Sequence, residues 1–574
     1  VLELQVIAGA QRRSTPVPGN PPEPFPVVEA TIPDMRAALE QGRVTSRQIV
    51  QRYLTRIALY EDRLNAIITV NPRALDEADA RDRERVQGKV RGPLHGIPIA
   101  LKDNIHTTDM PTTGGALAFA GLVPPYDATL TKHLREGGAI ILAKTQMTEL
   151  ANWVASGMPG NYNALNGYGM NPYDPRRDPR DNTFDGRPVL ATGGSSSGTG
   201  TAASFWAANV GTETSGSILS PANQNMLVGI KPTVGRVSRF GVIPITADQD
   251  TPGPMARTVT DAAILLGALE GASPDPDDPA TNRCTPPAGR DYAKFLDANG
   301  LRGARIGIPR AFFYDRASVP AQKEPLGGLT DAQRKVMDEA IAVLKSHGAV
   351  IIDPADIPSV VDADPDRNFL KWSICGGLDN RRGMDADCSI VFKYGMKRDF
   401  NAWLKSLGNG APVKTLTELR QWNIAHQRAG AIKYGQANLD ISDEMDVQAD
   451  GERYKRDRQK DLALGGAHGI DEVITAHRLD ALLFPAVSSA ALAAKPGYPT
   501  VAVPFAFVPN VPFVGGPGST AGGAAAAYPE GFDPKPSPYG VSFTGGACSE
   551  PTLIRLAYAF EQATRRRVPP REFP

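Results

Sequence analysis

An α/β fold is predicted for this chain of 574 residues by two observations. Apolar runs alternate with helical ones: "HGIPIALKDNI" reads as a buried strand, "ATLTKHLREGG" as a helix and "AIILAKT" as a second strand. The same grammar returns later, where "LRGARIGIPRAFF", "LTDAQRKVMDEAIAVLKSHG" and "AVIIDPADI" read as strand, helix, strand. A chain this long predicts two domains, or one large α/β core carrying a substantial insertion.

Each element follows in order. Residues 14–31 are proline-rich and extended, and residues 1–30 form an N-terminal extension. Helical periodicity starts at "IPDMRAALEQGRVTSRQIV", with a cap expected at Thr45 or Ser46. The stretch from Gly157 to Arg187, rich in Gly, Pro, Asn and Asp, predicts a long loop at the rim of a pocket. After Gly271, "ASPDPDDPATNRCTPPAG" marks a boundary within the main body, residues 31–574, and opens a variable region over about 275–478. Most of its later part, residues 365–478, reads as charged helix, with Trp372, Trp403 and Trp422 expected in the core rather than in a pocket. "LDALLFPAV" and "YPTVAVPFAF" return to strand, a Gly- and Ala-rich loop follows, and "PTLIRLAYAFEQATRR" closes as an amphipathic helix.

Composition narrows the function. Lys plus Arg and Asp plus Glu each number 62, so the net charge is zero, which argues against a nucleic acid or an anionic membrane as partner. No run approaches 18 apolar residues, so no membrane-spanning helix is predicted. "VLELQVIAGAQRR" ends its apolar run on small residues but lacks a basic n-region, which leaves the compartment open between cytoplasm and export. Cys284, Cys375, Cys388 and Cys548 have no zinc-type spacing, and no metal is expected. Sparse cysteines are expected to be free and buried, although Cys375 and Cys388 could pair across a short loop.

The stretch "GGSSSGTG", Gly193 to Gly200, admits four readings. A flexible linker fits its composition, but the flanks "RPVLA" and "AASFWAANV" look like a buried strand and a buried helix. A phosphate loop would need the lysine of GxxxxGK[ST], which is missing. Gly194 to Gly198 satisfies G-x-S-x-G with Ser196 as nucleophile, but that chemistry needs a later acid and then a histidine; His426, His468 and His477 are available, yet His468 and His477 lie in polar helical sequence. The fourth reading joins the loop to two other features. Lys102 sits in an otherwise apolar strand, where burial is costly unless the amine is neutral or well hydrogen-bonded. Ser217 lies in a second small-residue turn, "GTETSGSILSPA".

These segments together resemble the amidase signature family of serine hydrolases. "GPLHGIPIALKDNI", "AIILAKTQMTELANW", "TGGSSSGTG", "GTETSGSILSPANQNM" and the terminal "YGVSFTGGACSEPTLIRLAYAFEQAT" look like successive family segments in the right order, most similar to those of peptide amidases and bacterial aryl acylamidases. The resemblance implies a large twisted mixed β-sheet covered by helices on both faces. It also implies a Ser–Ser–Lys triad in which Ser217 is the nucleophile, Ser195 the bridging serine and Lys102 the base. The backbone N–H groups of Thr214, Ser215, Gly216 and Ser217 would form the oxyanion hole, and Ala151 in "ELANW" would line the acyl pocket. Ser195 and Ser217 stand two positions closer than is common in the family, and the connection between them is expected to absorb the shortening.

The function implied is hydrolysis of a neutral carboxamide or anilide through an acyl-enzyme on Ser217, with a small-molecule amide as partner and no cofactor. Alternatives are a glutaminase-like subunit of a tRNA-dependent amidotransferase, a carbamate or ester hydrolase on the same site, and a non-catalytic binding protein. The sequence does not specify an oligomeric state, a homodimer included.

Overall fold

A computed structural model describes residues 25–180, 185–193, 197–510 and 527–574. Its centre is one sheet of eleven strands. In chain order these are β1 (Ile67–Val70), β2 (Pro98–Lys102), β3 (Ile140–Thr145), β4 (Ala208–Glu213), β5 (Val228–Lys231), β6 (Thr251–Ala256), β7 (Arg305–Gly307), β8 (Val350–Ile352), β9 (Ala481–Pro485), β10 (Thr500–Val508) and β11 (Ser537–Thr544). They lie in the order β1-β3-β2-β4-β6-β5-β10-β11-β9-β7-β8. β2 runs parallel to both β3 and β4, and β9, β7 and β8 are mutually parallel, while the strands from β4 to β9 pair antiparallel. The predicted α/β class holds, in the form of a mixed sheet with helices on both faces.

β2, β3 and β4 are buried along their whole length. Buried parallel strands tolerate no alternation, which is why "PIALK" and "IILAKT" read as continuous apolar runs broken only by lysine. Capping boxes start the outer helices: Thr31 with Asp34 for Ile32–Glu40, Thr45 with Gln48 for Ser46–Leu64, and Thr330 with Gln333 for Asp331–Ser346.

The structure departs from the sequence expectations at three places. "RPVLA" forms no strand beyond one bridge between Arg177 and Pro188. "AASFWAANV" is not a helix either: the helix Thr199–Ala202 stops after one turn, Ser204 takes a left-handed φ of 55°, and β4 begins at Ala208. The Trp206 ring causes this, because it lies against Gly200 and its Nε1 donates to the Thr201 hydroxyl. Arg56 and Arg257 then donate to the carbonyls of Ala203, Ser204, Thr201 and Trp206, fixing the turn. Finally, all four cysteines are paired, Cys375 with Cys388 and Cys284 with Cys548, the second pair across 264 positions. No local spacing announces that bridge; the packing of residues near Cys284 against the last segment before the terminal helix creates it.

Trp372 and Trp403 are buried and donate to Asp461 and His106, whereas Trp422 stacks on His426. The residues 1–24 of the proline-rich segment and residues 511–526 of the Gly- and Ala-rich loop lie outside the described residues. No described helix is long and apolar enough to cross a membrane.

Candidate active site

Lys102 ends β2 and Thr212 lies near the end of the adjacent β4, so parallel pairing brings them to the same edge of the sheet. The Lys102 ammonium is fully buried and donates to the Thr212 carbonyl at 3.1 Å and the Thr212 hydroxyl at 2.8 Å. Asn104 donates to that same hydroxyl at 3.0 Å. Burial strips the amine of water and lowers its pKa to about 7, while the more distant carboxylates of Asp250 and Glu213 pull the other way. Lys144, one strand over and equally buried, differs in having Asp103 at 3.5 Å. The hydrogen-bond partners of Lys102 are neutral.

β4 runs straight into the turn Thr214–Ser217, and neighbouring groups hold the turn at both ends. The Glu213 carboxylate accepts from the N–H groups of Ile218 and Leu219 at 2.7 and 2.9 Å, which closes the turn onto the helix Leu219–Gln224. Thr214 donates through its hydroxyl to Asp250 at 2.5 Å, and its carbonyl accepts from Gln249 at 3.1 Å. Asp250 also receives the N–H groups of Ile245 and Thr246, yet burial raises its pKa to about 7. Gly216 supplies the left-handed corner with φ of 93°. Among the described residues, no group accepts from the N–H of Ser215 or Gly216.

Thr214, Ser215 and Ser217 line one cavity of about 240 Å³ together with Ala151. This is smaller than the roughly 300–1,000 Å³ of pockets for drug-sized ligands. Trp153, Met158, Ile245 and Phe392 make its apolar wall. The "ELANW" segment, which alone reads as ordinary helix, instead places Leu150, Ala151 and Asn152 in succession at left-handed φ of 42°, 56° and 74°. Non-glycine residues adopt this conformation at a cost, and three in a row persist only where packing fixes them. Buried Leu150 and Glu149 anchor the turn, the Glu149 carboxylate accepting from the N–H of Ala164 at 2.8 Å.

The structure thus gathers Thr214, Ser215, Ser217 and Ala151 at one cavity, with Gly216 at the left-handed corner of the same turn and Lys102 fully buried at the end of β2. Ser195, with Gly194 and Ser196, lies outside the described residues. Its anchor is described: Gly193 has φ of 87° and packs on Pro221, and Asn225 donates to the Thr192 carbonyl at 3.0 Å. Sequence reasoning missed Thr212, Glu213, Asp250, Phe392 and Asn438. Glu213 was open to detection as the acidic residue that follows the apolar run "FWAANV" before the small-residue turn, but Asp250 lies in the polar stretch "TADQDT", and Phe392 and Asn438 arrive only through long-range packing.

A mixed sheet of this size, with a cavity at the turn that follows β4, has counterparts among enzymes that hydrolyse C–N amide bonds. A peptide amidase from Stenotrophomonas maltophilia superposes with a TM-score of 0.77 at 35% identity, covering 95% of this chain and 99% of that one. An amidase family protein from Bacillus anthracis gives 0.75 at 30% identity, covering 95% and 92%. A probable amidase of Arabidopsis thaliana is 34% identical over 558 residues, 95% of this chain and 92% of its own length. The sequence profile of the family described as Amidase matches residues 48–554. The chain belongs to the amidase signature family and is an amidohydrolase.

Proposed function

We propose that the protein hydrolyses a neutral carboxamide through an acyl-enzyme on Ser217. The observation that carries this reading is Lys102: a lysine with neutral partners and a pKa of about 7, at the strand end beside the turn that carries Ser217. A serine hydroxyl attacks only when a base takes its proton, and an amine is such a base only while neutral. Ser195, two positions beyond Gly193 in the chain, relays the proton from Ser217 Oγ to Lys102 Nζ. Oγ then bonds to the substrate carbonyl carbon, and the oxygen takes up negative charge facing the N–H groups of the Thr214–Ser217 turn. The proton returns through Ser195 to the leaving nitrogen, the C–N bond breaks, and water repeats the sequence to release the acid.

The small cavity and its apolar wall favour a compact acyl group. Among neutral amides, the 35% identity to a peptide amidase over 95% of the chain supports a C-terminal peptide amide. Likeness to a glutamyl-tRNA(Gln) amidotransferase component from a Geobacter species covers 57% of this chain, and no described feature favours that reading. The test is covalent labelling with a fluorophosphonate, followed by peptide mapping. Modification of Ser217 in the wild type and none in Ser217→Ala is the expected result. Labelling that ignores Ser217 overturns the reading.

A further inference from the structure

The cavity has one wall that does not come from the sheet. Asn438 is the second residue of the helix Ala437–Asp443, from the region that carried no motif in the sequence, and lines the cavity together with Ser217. Only 5% of Asn438 is exposed. The N–H groups of Asn438 and Leu439 both donate to the Val154 carbonyl, and Trp153 Nε1 donates to the Ser442 hydroxyl at 3.0 Å. These bonds fasten the helix to the segment that follows the left-handed turn.

The orientation of the Asn438 amide is determined by chemistry. The N–H of Gly377, which can only donate, lies 2.8 Å from Oδ1, and the Ser156 hydroxyl donates to the same oxygen at 3.0 Å. The oxygen is therefore turned away into the wall and the Nδ2 amide group is left over. Among the described residues Nδ2 meets no acceptor, and it is not one of the sealed polar atoms without partners. A nine-tenths buried side chain at a cavity, held by Gly377 and Ser156 and sharing that cavity with Trp153, Met158 and Phe392 as well as Ser217, presents its remaining donor as a fixed reader of one acceptor atom.

We propose that Asn438 is a specificity-determining residue whose Nδ2 donates to a carbonyl oxygen in the acyl half of the substrate, next to the amide that is cleaved. The substrate class is then an N-acylated α-amino amide: its side chain packs on the apolar wall and its N-acyl carbonyl accepts from Asn438. This inference rests on the amidase reading of Ser217 and refines it. Ser156 and Gly377 act as positioning groups, because they hold the amide in the orientation that exposes its donor.

The test compares kcat/KM for N-acetylphenylalaninamide and 3-phenylpropanamide, which differ by the acetamido group. The wild type is expected to prefer the first roughly ten- to a hundredfold, the range set by leaving one buried polar group unpaired. Asn438→Asp keeps an oxygen for Gly377 and Ser156 but replaces the donor with an acceptor, so the preference should collapse to within about twofold of unity. A purely structural role would slow both substrates and leave their ratio intact. Equal turnover of both amides by the wild type, or an unchanged ratio in the variant, overturns the role of Asn438 and leaves the amidase reading standing. Turnover of neither amide by the wild type overturns both. Should Asn438→Asp fail to fold, the wild-type ratio decides alone.

Discussion

Gly193 and Pro221 are packed so closely that a β-carbon at position 193 would stand 2.3 Å from the Pro221 nitrogen. The segment ending at Gly193 and the helix that follows Ser217 are therefore braced directly against each other. Asn225 adds to the brace by donating to both the Thr192 and the Pro221 carbonyls. Gly193→Ala should cost about 3 kcal/mol, from backbone clash and the φ of 87° together. Urea unfolding measures the loss, and amide turnover should fall even at temperatures where the variant is folded.

Removing either end of the proposed proton path should abolish turnover. Ser217→Ala and Lys102→Ala are each expected to lower kcat by about 10⁴-fold or more, since residues acting as a unit lose nearly the whole effect when one is deleted. Steady-state kinetics on a neutral amide tests this, and wild-type turnover in both variants would reject the mechanism.

The pH profile should carry the mark of the buried lysine. With a pKa of about 7, Lys102 is neutral above that pH, so kcat/KM should rise with pH through a limb near 7. Asp250 titrates in the same range, so the limb belongs to the interacting pair. The Asp250 charge raises the lysine pKa, and Asp250→Asn should therefore move the limb to lower pH. Stability follows the same sign. The folded-state pKa of Lys102 lies below its ordinary value of 10.5, so between that value and about 7 the unfolded chain holds the extra proton. The contribution of Lys102 to stability thus falls as pH drops across that window and is constant below it.

The two disulfides should differ in weight. Closing 264 positions restricts the unfolded chain more than closing 13, and chain-entropy reasoning makes Cys284–Cys548 worth about 3 kcal/mol more than Cys375–Cys388. Paired serine substitutions followed by thermal unfolding should rank them in that order.

Ala151, with φ of 56°, should respond to substitution in opposite directions. Ala151→Gly relieves the left-handed strain and should raise stability by up to about 1 kcal/mol, whereas Ala151→Val should lower it by about 2 kcal/mol. Calorimetry on the two variants separates these signs.

What the sequence disclosed and what it hid follow from the range of the interactions involved. β2 and β3 were legible because strands buried on both faces must be apolar, and Lys102 stood out as the charge that breaks one. The turn at Thr214–Ser217 was legible because only small residues let the backbone approach a ligand. The turn at Leu150–Asn152 was not, since nothing in "ELANW" opposes a right-handed helix; packing of Leu150 and Glu149 imposes the other hand. Asn438 and Phe392 reach the cavity from far beyond Ser217 in the chain, and local pattern says nothing about such a meeting.

The division of the cavity between two sources has an evolutionary consequence. The groups of the proposed mechanism sit on β2 and the turn after β4, while one side of the cavity is lined from residues 375–445, clipped by their own disulfide and docked through Val154, Trp153 and Ser156. A change confined to residues 375–445 would alter that side of the cavity without touching β2 or the Thr214–Ser217 turn. Recombination within that stretch would hand descendants new substrates while the inherited chemistry stays untouched.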